Sequence, residues 1–136
     1  MTPRRRILFG LFLLTLSTIA GSAQAADDLD GFYAVKGQNP NGKAYEATAS
    51  ITKLTNSYSL QWQFDGVVSA VGVGLRKGDT LAVIFQTAEG QIGLAIYVVK
   101  GKTLEGSWTA PGSDMVTGEV LTKTKEAPTP RGGQRL

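Results

Sequence analysis

The sequence predicts an all-β protein, an eight-stranded antiparallel up-and-down barrel. Three observations lead to this fold class. Eight short apolar segments have the composition of strands, seven turn signals separate them, and thirteen glycines fall between residues 31 and 118. No segment has the length and periodicity of a long helix. Because the connections are short, consecutive strands should be antiparallel neighbours.

The predicted strands in the first half of the body cover 31–37, 43–54, 58–64 and 67–75. Turn residues separate them at 39–42, 55–57 and 65–66, and each turn contains Asn, Gly or Asp. Asp65-Gly66 is the strongest hairpin signal, because both residue types tolerate positive φ. The third segment alternates apolar and polar residues, which predicts that Trp62 and Phe64 share a buried face.

The predicted strands in the second half cover 80–87, 92–99, 103–109 and 115–123. Their turn signals lie at 77–79, 89–91, 100–102 and 111–114. The segments 82–85 and 92–99 are apolar on both faces, unlike the alternating third segment. This pattern predicts that a partner or a neighbouring strand covers their outer side.

Eight strands in a meander leave two exposed edges unless the sheet closes on itself. Closure into a barrel removes both edges, and glycines within strands permit the tight coiling of a small barrel. A two-sheet sandwich is the alternative topology. Outer-membrane strands need about 9–11 residues with aromatic girdles, whereas most segments here are shorter and the aromatics are scattered. A soluble barrel is therefore expected.

The ends of the chain are predicted to lie outside the barrel domain, which is assigned to residues 26–124. Residues 1–25 have a charged start, an apolar stretch and the small-x-small site Ala23-Gln24-Ala25, as in a secretory signal peptide. The apolar run is too short for a membrane anchor, so we expect cleavage, export to the periplasm or medium, and no stable membrane insertion. Sec export is favoured over the twin-arginine route. Residues 125–136 are predicted to be a disordered tail.

Charge and residue types exclude several functions. The chain has 14 Lys+Arg and 11 Asp+Glu, so removing Arg4, Arg5 and Arg6 with the signal leaves 11 of each. A neutral protein without a basic patch is not expected to bind nucleic acid. No Cys or His occurs, which removes disulfides, thiol nucleophiles and imidazole ligands, and no cofactor or metal site is expected.

A catalytic pair of carboxylates remains possible in principle, but the positions of the acidic residues argue against it. Asp65, Asp79, Glu89 and Asp114 lie in predicted turns, where acidic residues normally face water. The strand residues Glu46, Glu105 and Glu119 are expected on outward faces. No catalytic constellation is recognised, so the chain is predicted not to be an enzyme.

Two resemblances rest on specific segments. Gly31-Phe32-Tyr33 opening the first strand, followed by seven hairpins, resembles the calycin layout of avidins and lipocalins, and the segment 104–109, LEGSWT, is similar to a late avidin strand. The segment 31–45, together with 72–75 and 104–108, also resembles a family of small exported proteobacterial proteins often labelled fibronectin-binding. The first resemblance implies a calycin-like barrel.

The predicted function is non-catalytic binding of a small apolar or amphipathic ligand, in the barrel interior or at its open end. Aromatic side chains with polar tips suit such a site, as do amides in the 39–42 loop. The candidate residues are Tyr33, Asn39, Asn41, Tyr45, Trp62, Tyr97 and Trp108. The aromatics equally fit a filled core. The alternative function is interaction with an extracytoplasmic protein, as an adhesin or an enzyme inhibitor.

Overall fold

The computed structural model describes residues 28–126, which form one closed antiparallel barrel. Each strand pairs with its neighbours in sequence, and the last strand pairs with the first. The strands are β1 (Gly31–Gln38), β2 (Ala44–Lys53), β3 (Tyr58–Phe64), β4 (Val67–Lys77), β5 (Thr80–Thr87), β6 (Ile92–Lys100), β7 (Thr103–Thr109) and β8 (Thr117–Glu126). The predicted fold class is confirmed, and the sandwich alternative is not observed.

The strand limits agree with the sequence predictions to within three residues. The largest difference is in the last strand, which starts at Thr117 and continues to Glu126. Lys125 and Glu126, assigned above to the tail, therefore belong to β8, where they pair with the start of β1. The predicted signal peptide and the remainder of the predicted tail lie outside the described residues.

The turn chemistry accounts for the tight β3–β4 hairpin. Asp65 and Gly66 both have positive φ, at 47° and 78°, as a two-residue type I′ turn requires. Before the turn, the alternation in β3 buries Trp62 to 6 % exposure. Phe64 differs from the prediction: it is 39 % exposed, because it lies at the strand end, where its ring packs against Tyr45 at 5.7 Å between centroids.

One end of the barrel is filled. Leu29 precedes β1 and is buried, and its carbonyl accepts a 2.7 Å hydrogen bond from the Tyr33 hydroxyl. Aliphatic side chains from all around the barrel pack in the same half: Val35, Ile51, Leu60, Leu81, Leu104 and Leu121. Together they form a solid plug at the end where the chain enters the barrel.

The opposite half is shaped by aromatic rings lying over cross-strand glycines. Phe85 pairs with Gly93, and a Cβ on Gly93 would collide with the Phe85 ring. Tyr97 covers its partner Gly106 in the same way. Because a glycine leaves no side chain beneath the ring, each aromatic can lie flat across the neighbouring strand. The glycines within strands therefore make space for aromatic side chains as well as permitting coiling.

Candidate functional site

A cavity of about 250 Å³ lies at the end of the barrel opposite Leu29. Its wall comprises the aromatic rings of Tyr45, Trp62, Phe64, Phe85, Tyr97 and Trp108. Glu89 and Gln91 in the β5–β6 loop lie at its rim and are exposed, so the cavity opens toward solvent there. The barrel is thus filled at one end and hollow at the other, which combines the two alternatives left open by the sequence.

Glu119 forms the polar floor of this cavity. Its side chain is only 6 % exposed, which corrects the expectation that it faces outward. The Tyr97 hydroxyl donates to Oε1 at 2.7 Å, Trp62 Nε1 donates to the same oxygen at 3.2 Å, and the Tyr45 hydroxyl donates to Oε2. Three donors converge on one carboxylate, which is the acceptor-only arrangement of an ionised carboxyl group.

The sheet register explains how these groups meet. Glu119 pairs with Gly106 of β7 on one side and with Gly37 of β1 on the other. Gly106 in turn pairs with Tyr97, and Gly37 pairs with Tyr45. One row across five strands therefore places tyrosine, glycine, glutamate, glycine and tyrosine side by side. The two glycines leave room for both tyrosine rings to lie over them and reach the carboxylate.

Burial and the carboxylate both act on the phenols of this row. Burial raises the pKa of Tyr97 well above its ordinary value, and the neighbouring Glu119 charge and hydrogen bond add to the rise. The pKa of Tyr45 is raised by the same causes in the same order, with a smaller opposing effect from Trp108. Both hydroxyls therefore remain protonated donors at neutral and moderately alkaline pH.

Five of the seven predicted site residues line the cavity: Asn39, Tyr45, Trp62, Tyr97 and Trp108. Tyr33 lies in the filled half, where its hydroxyl is bonded to Leu29. Asn41 is exposed in the β1–β2 loop, and its Oδ1 accepts a 2.9 Å hydrogen bond from the Lys43 amide. Asn41 therefore forms a hydrogen bond within its own loop, whereas Asn39 lines the cavity.

Sequence reasoning missed two important groups, Glu119 and Phe85. Phe85 closes the wall between the tryptophans, with ring centroids 6.0 Å from Trp62 and 6.1 Å from Trp108. The sequence does contain a signal that Glu119 is buried. It lies two residues before the apolar Leu121, and residues two apart in a strand share a face. The adjacent Val120 obscured that signal, because it makes both faces of the strand partly apolar.

The polar network beside the cavity is incomplete. Within residues 28–126, two buried side-chain polar atoms have no hydrogen-bond partner, Trp108 Nε1 and Thr117 Oγ1. Trp108 and Thr117 are cross-strand partners on β7 and β8. Buried polar groups are normally paired, so this location has capacity for further hydrogen bonds.

The residues around the cavity carry acidic but no basic charge. Glu119 and Glu89 line it, and no lysine or arginine does so among the described residues.

No cluster of three His, Cys, Asp or Glu side chains suited to a metal occurs within residues 28–126. The same range contains no helix that is long and apolar enough to cross a membrane. No protein-family model and no curated protein sequence matches the chain.

Proposed function

We propose that the protein binds a small amphipathic molecule in the aromatic end of its barrel, without catalysing a reaction. One observation carries this proposal: a cavity of about 250 Å³ with six aromatic rings in its wall and a buried, hydrogen-bonded carboxylate at its floor. Concave apolar sites with a few convergent polar groups are the usual form of small-ligand sites.

The cavity volume limits the size of the ligand. Drug-sized pockets occupy about 300–1,000 Å³, so this site suits a smaller molecule. A single six-membered ring with a short polar substituent matches that volume.

The charges around the cavity define which substituent is favoured. An anionic ligand would meet Glu119 and Glu89 with no cationic side chain in the wall to compensate. An ammonium group gains from the carboxylate and from the faces of Trp62, Phe85 and Trp108, since aromatic faces attract cations. We therefore expect the order of affinity to be cationic, then neutral, then anionic.

Three compounds with one common ring test this order: benzylamine, benzyl alcohol and benzoate. Both tryptophans of the chain line the cavity, so intrinsic fluorescence reports occupancy directly. Benzylamine should give a saturable change at the lowest concentration and benzoate at the highest. If none of the three gives a saturable change, the proposed function is wrong.

A charge-neutral variant tests the role of the Glu119 carboxylate in ligand binding. Glu119→Gln should weaken benzylamine binding by roughly tenfold or more, since one unit of charge interaction is removed at a buried site. Benzyl alcohol binding should change less. The matched control is Glu105→Gln, because Glu105 is an exposed strand residue paired with Lys100 and lies outside the cavity. An equal effect of both substitutions would contradict the assignment.

A further inference from the structure

The outer surface of the barrel is strongly asymmetric. Six aliphatic side chains point outward from β4, β5 and β6, and each is between 50 % and 63 % exposed: Val71, Val73, Leu75, Ile84, Leu94 and Ile96. We name this set the aliphatic face. On the opposite side, outward positions of β1–β3 carry polar residues such as Lys36, Glu46, Thr48 and Ser59.

The sheet register makes the aliphatic face continuous. Val73 pairs with Ile84, and Ile84 pairs with Leu94, so three large side chains form one row across three strands. The next row runs from Leu75 through Ala82 to Ile96. Ala82 is small, and the surface there forms a groove of about 590 Å³. The large side chains of both rows line this groove.

We propose that this aliphatic face is the interface of a homodimer, covered by the same face of a second copy of the chain. At exposed fractions of 50–63 %, the six side chains together expose on the order of 600 Å² of apolar surface. A standard interface buries about 800 Å² per partner, of which roughly 65 % is apolar in homodimers, or about 500 Å². The largest apolar patch on a typical monomer is about 300–600 Å² and is often an interaction site, so this face lies at the upper end of that range.

Charge and backbone bonding favour a second copy over a foreign protein. The segments 67–75, 80–87 and 92–99 contain no charged residue, so this face lacks the charge pattern by which a specific foreign partner is oriented. Because the barrel is closed, it offers no free sheet edge for an added strand. A second copy presents an equally uncharged apolar surface, and its large side chains can fill the groove at Ala82 across a two-fold axis.

The substitution Val73→Lys tests the interface. Val73 lies in the row of large side chains, next to Ile84, and in the proposed dimer a lysine there would be buried without a partner in each copy. Its matched control is Val120→Lys, which makes the same change at an outward position of β8. The chain is expressed in a bacterium that exports it, and mass spectrometry records whether the purified form has lost residues 1–25.

Light scattering coupled to size exclusion then measures the mass in solution across micromolar concentrations. The wild type and Val120→Lys should be dimers, whereas Val73→Lys should have a dissociation constant raised by roughly a hundredfold or more. Circular dichroism must show the same fold in all three. Mixing Val73→Lys with Val73→Glu should restore dimers, which excludes misfolding as the cause. A monomeric wild type overturns the proposal. The same holds if the monomer binds a different protein through this face.

Discussion

Removing the carboxylate at Glu119 tests the central network most severely. In Glu119→Leu the Tyr97 hydroxyl, the Tyr45 hydroxyl and Trp62 Nε1 all lose their acceptor. Each buried donor left unpaired costs about 1–3 kcal/mol, while burial of the leucine side chain returns about 2 kcal/mol. The free energy of unfolding should therefore fall by roughly 4 kcal/mol, a large share of the 5–15 kcal/mol typical of a domain.

Urea denaturation at pH 7, followed by circular dichroism, measures this loss. The control Glu105→Gln removes an exposed ion pair with Lys100, and should change the free energy of unfolding by at most about 1 kcal/mol. A second comparison separates the network from simple packing. Tyr97→Phe should destabilise the wild type by about 1.5–3 kcal/mol, because a hydrogen bond to a charged group is lost.

In the Glu119→Leu background, the same Tyr97→Phe change should be neutral or stabilising, because it removes a donor that already lacks an acceptor. The coupling energy between the two sites should therefore exceed about 1.5 kcal/mol. Two results would refute the reasoning: a loss below about 1 kcal/mol in Glu119→Leu, or equal effects of Tyr97→Phe in both backgrounds.

Two further predictions concern packing and alkaline pH. Gly106→Ala should lower the free energy of unfolding by about 1–3 kcal/mol in urea, because its Cβ would collide with the Tyr97 ring and the adjacent backbone. Gly118→Ala meets only one atom, at 3.9 Å, and should be tolerated; equal losses would contradict the account. Stability should also fall above pH 10, because the pKa values of Tyr33, Tyr45 and Tyr97 are raised in the folded state and the unfolded chain releases these protons first. Below pH 10 the stabilisation from these three tyrosines is fully present. Above pH 10 each of them lowers the free energy of unfolding by about 1.4 kcal/mol per pH unit. Urea midpoints at pH 9, 10 and 11 measure this slope, Tyr97→Phe should reduce it, and a pH-independent midpoint would contradict it.

The strand order and most strand limits were predictable because local signals determine them. Turns such as Asp65-Gly66 mark where strands end, and the alternation around Trp62 identifies the buried face. The apolar character of 92–99 on both faces likewise predicted an outer side in need of cover, and Leu94 and Ile96 do form an exposed aliphatic surface. Each of these signals is contained within one or two neighbouring segments.

The site was only partly predictable because its centre depends on register across five strands. Glu119 is placed by Gly106 and Gly37, which are distant from it in sequence but adjacent in the sheet. Whether the interior is filled or hollow likewise depends on which glycine each aromatic ring covers, as Phe85 does with Gly93. Residue types alone suggested aromatic candidates, but they could not identify the carboxylate to which the tyrosines donate.

The most direct test of the proposed binding site is an NMR titration of the two indole N–H resonances with benzylamine. Both Trp62 and Trp108 line the cavity, and one indole is bonded to Glu119 while the other lacks a partner. We predict that both resonances shift saturably with a common dissociation constant, and that Glu119→Gln weakens this constant while Glu105→Gln does not. Indole resonances that stay unchanged while backbone amides on the outer surface shift would contradict a ligand site inside the barrel.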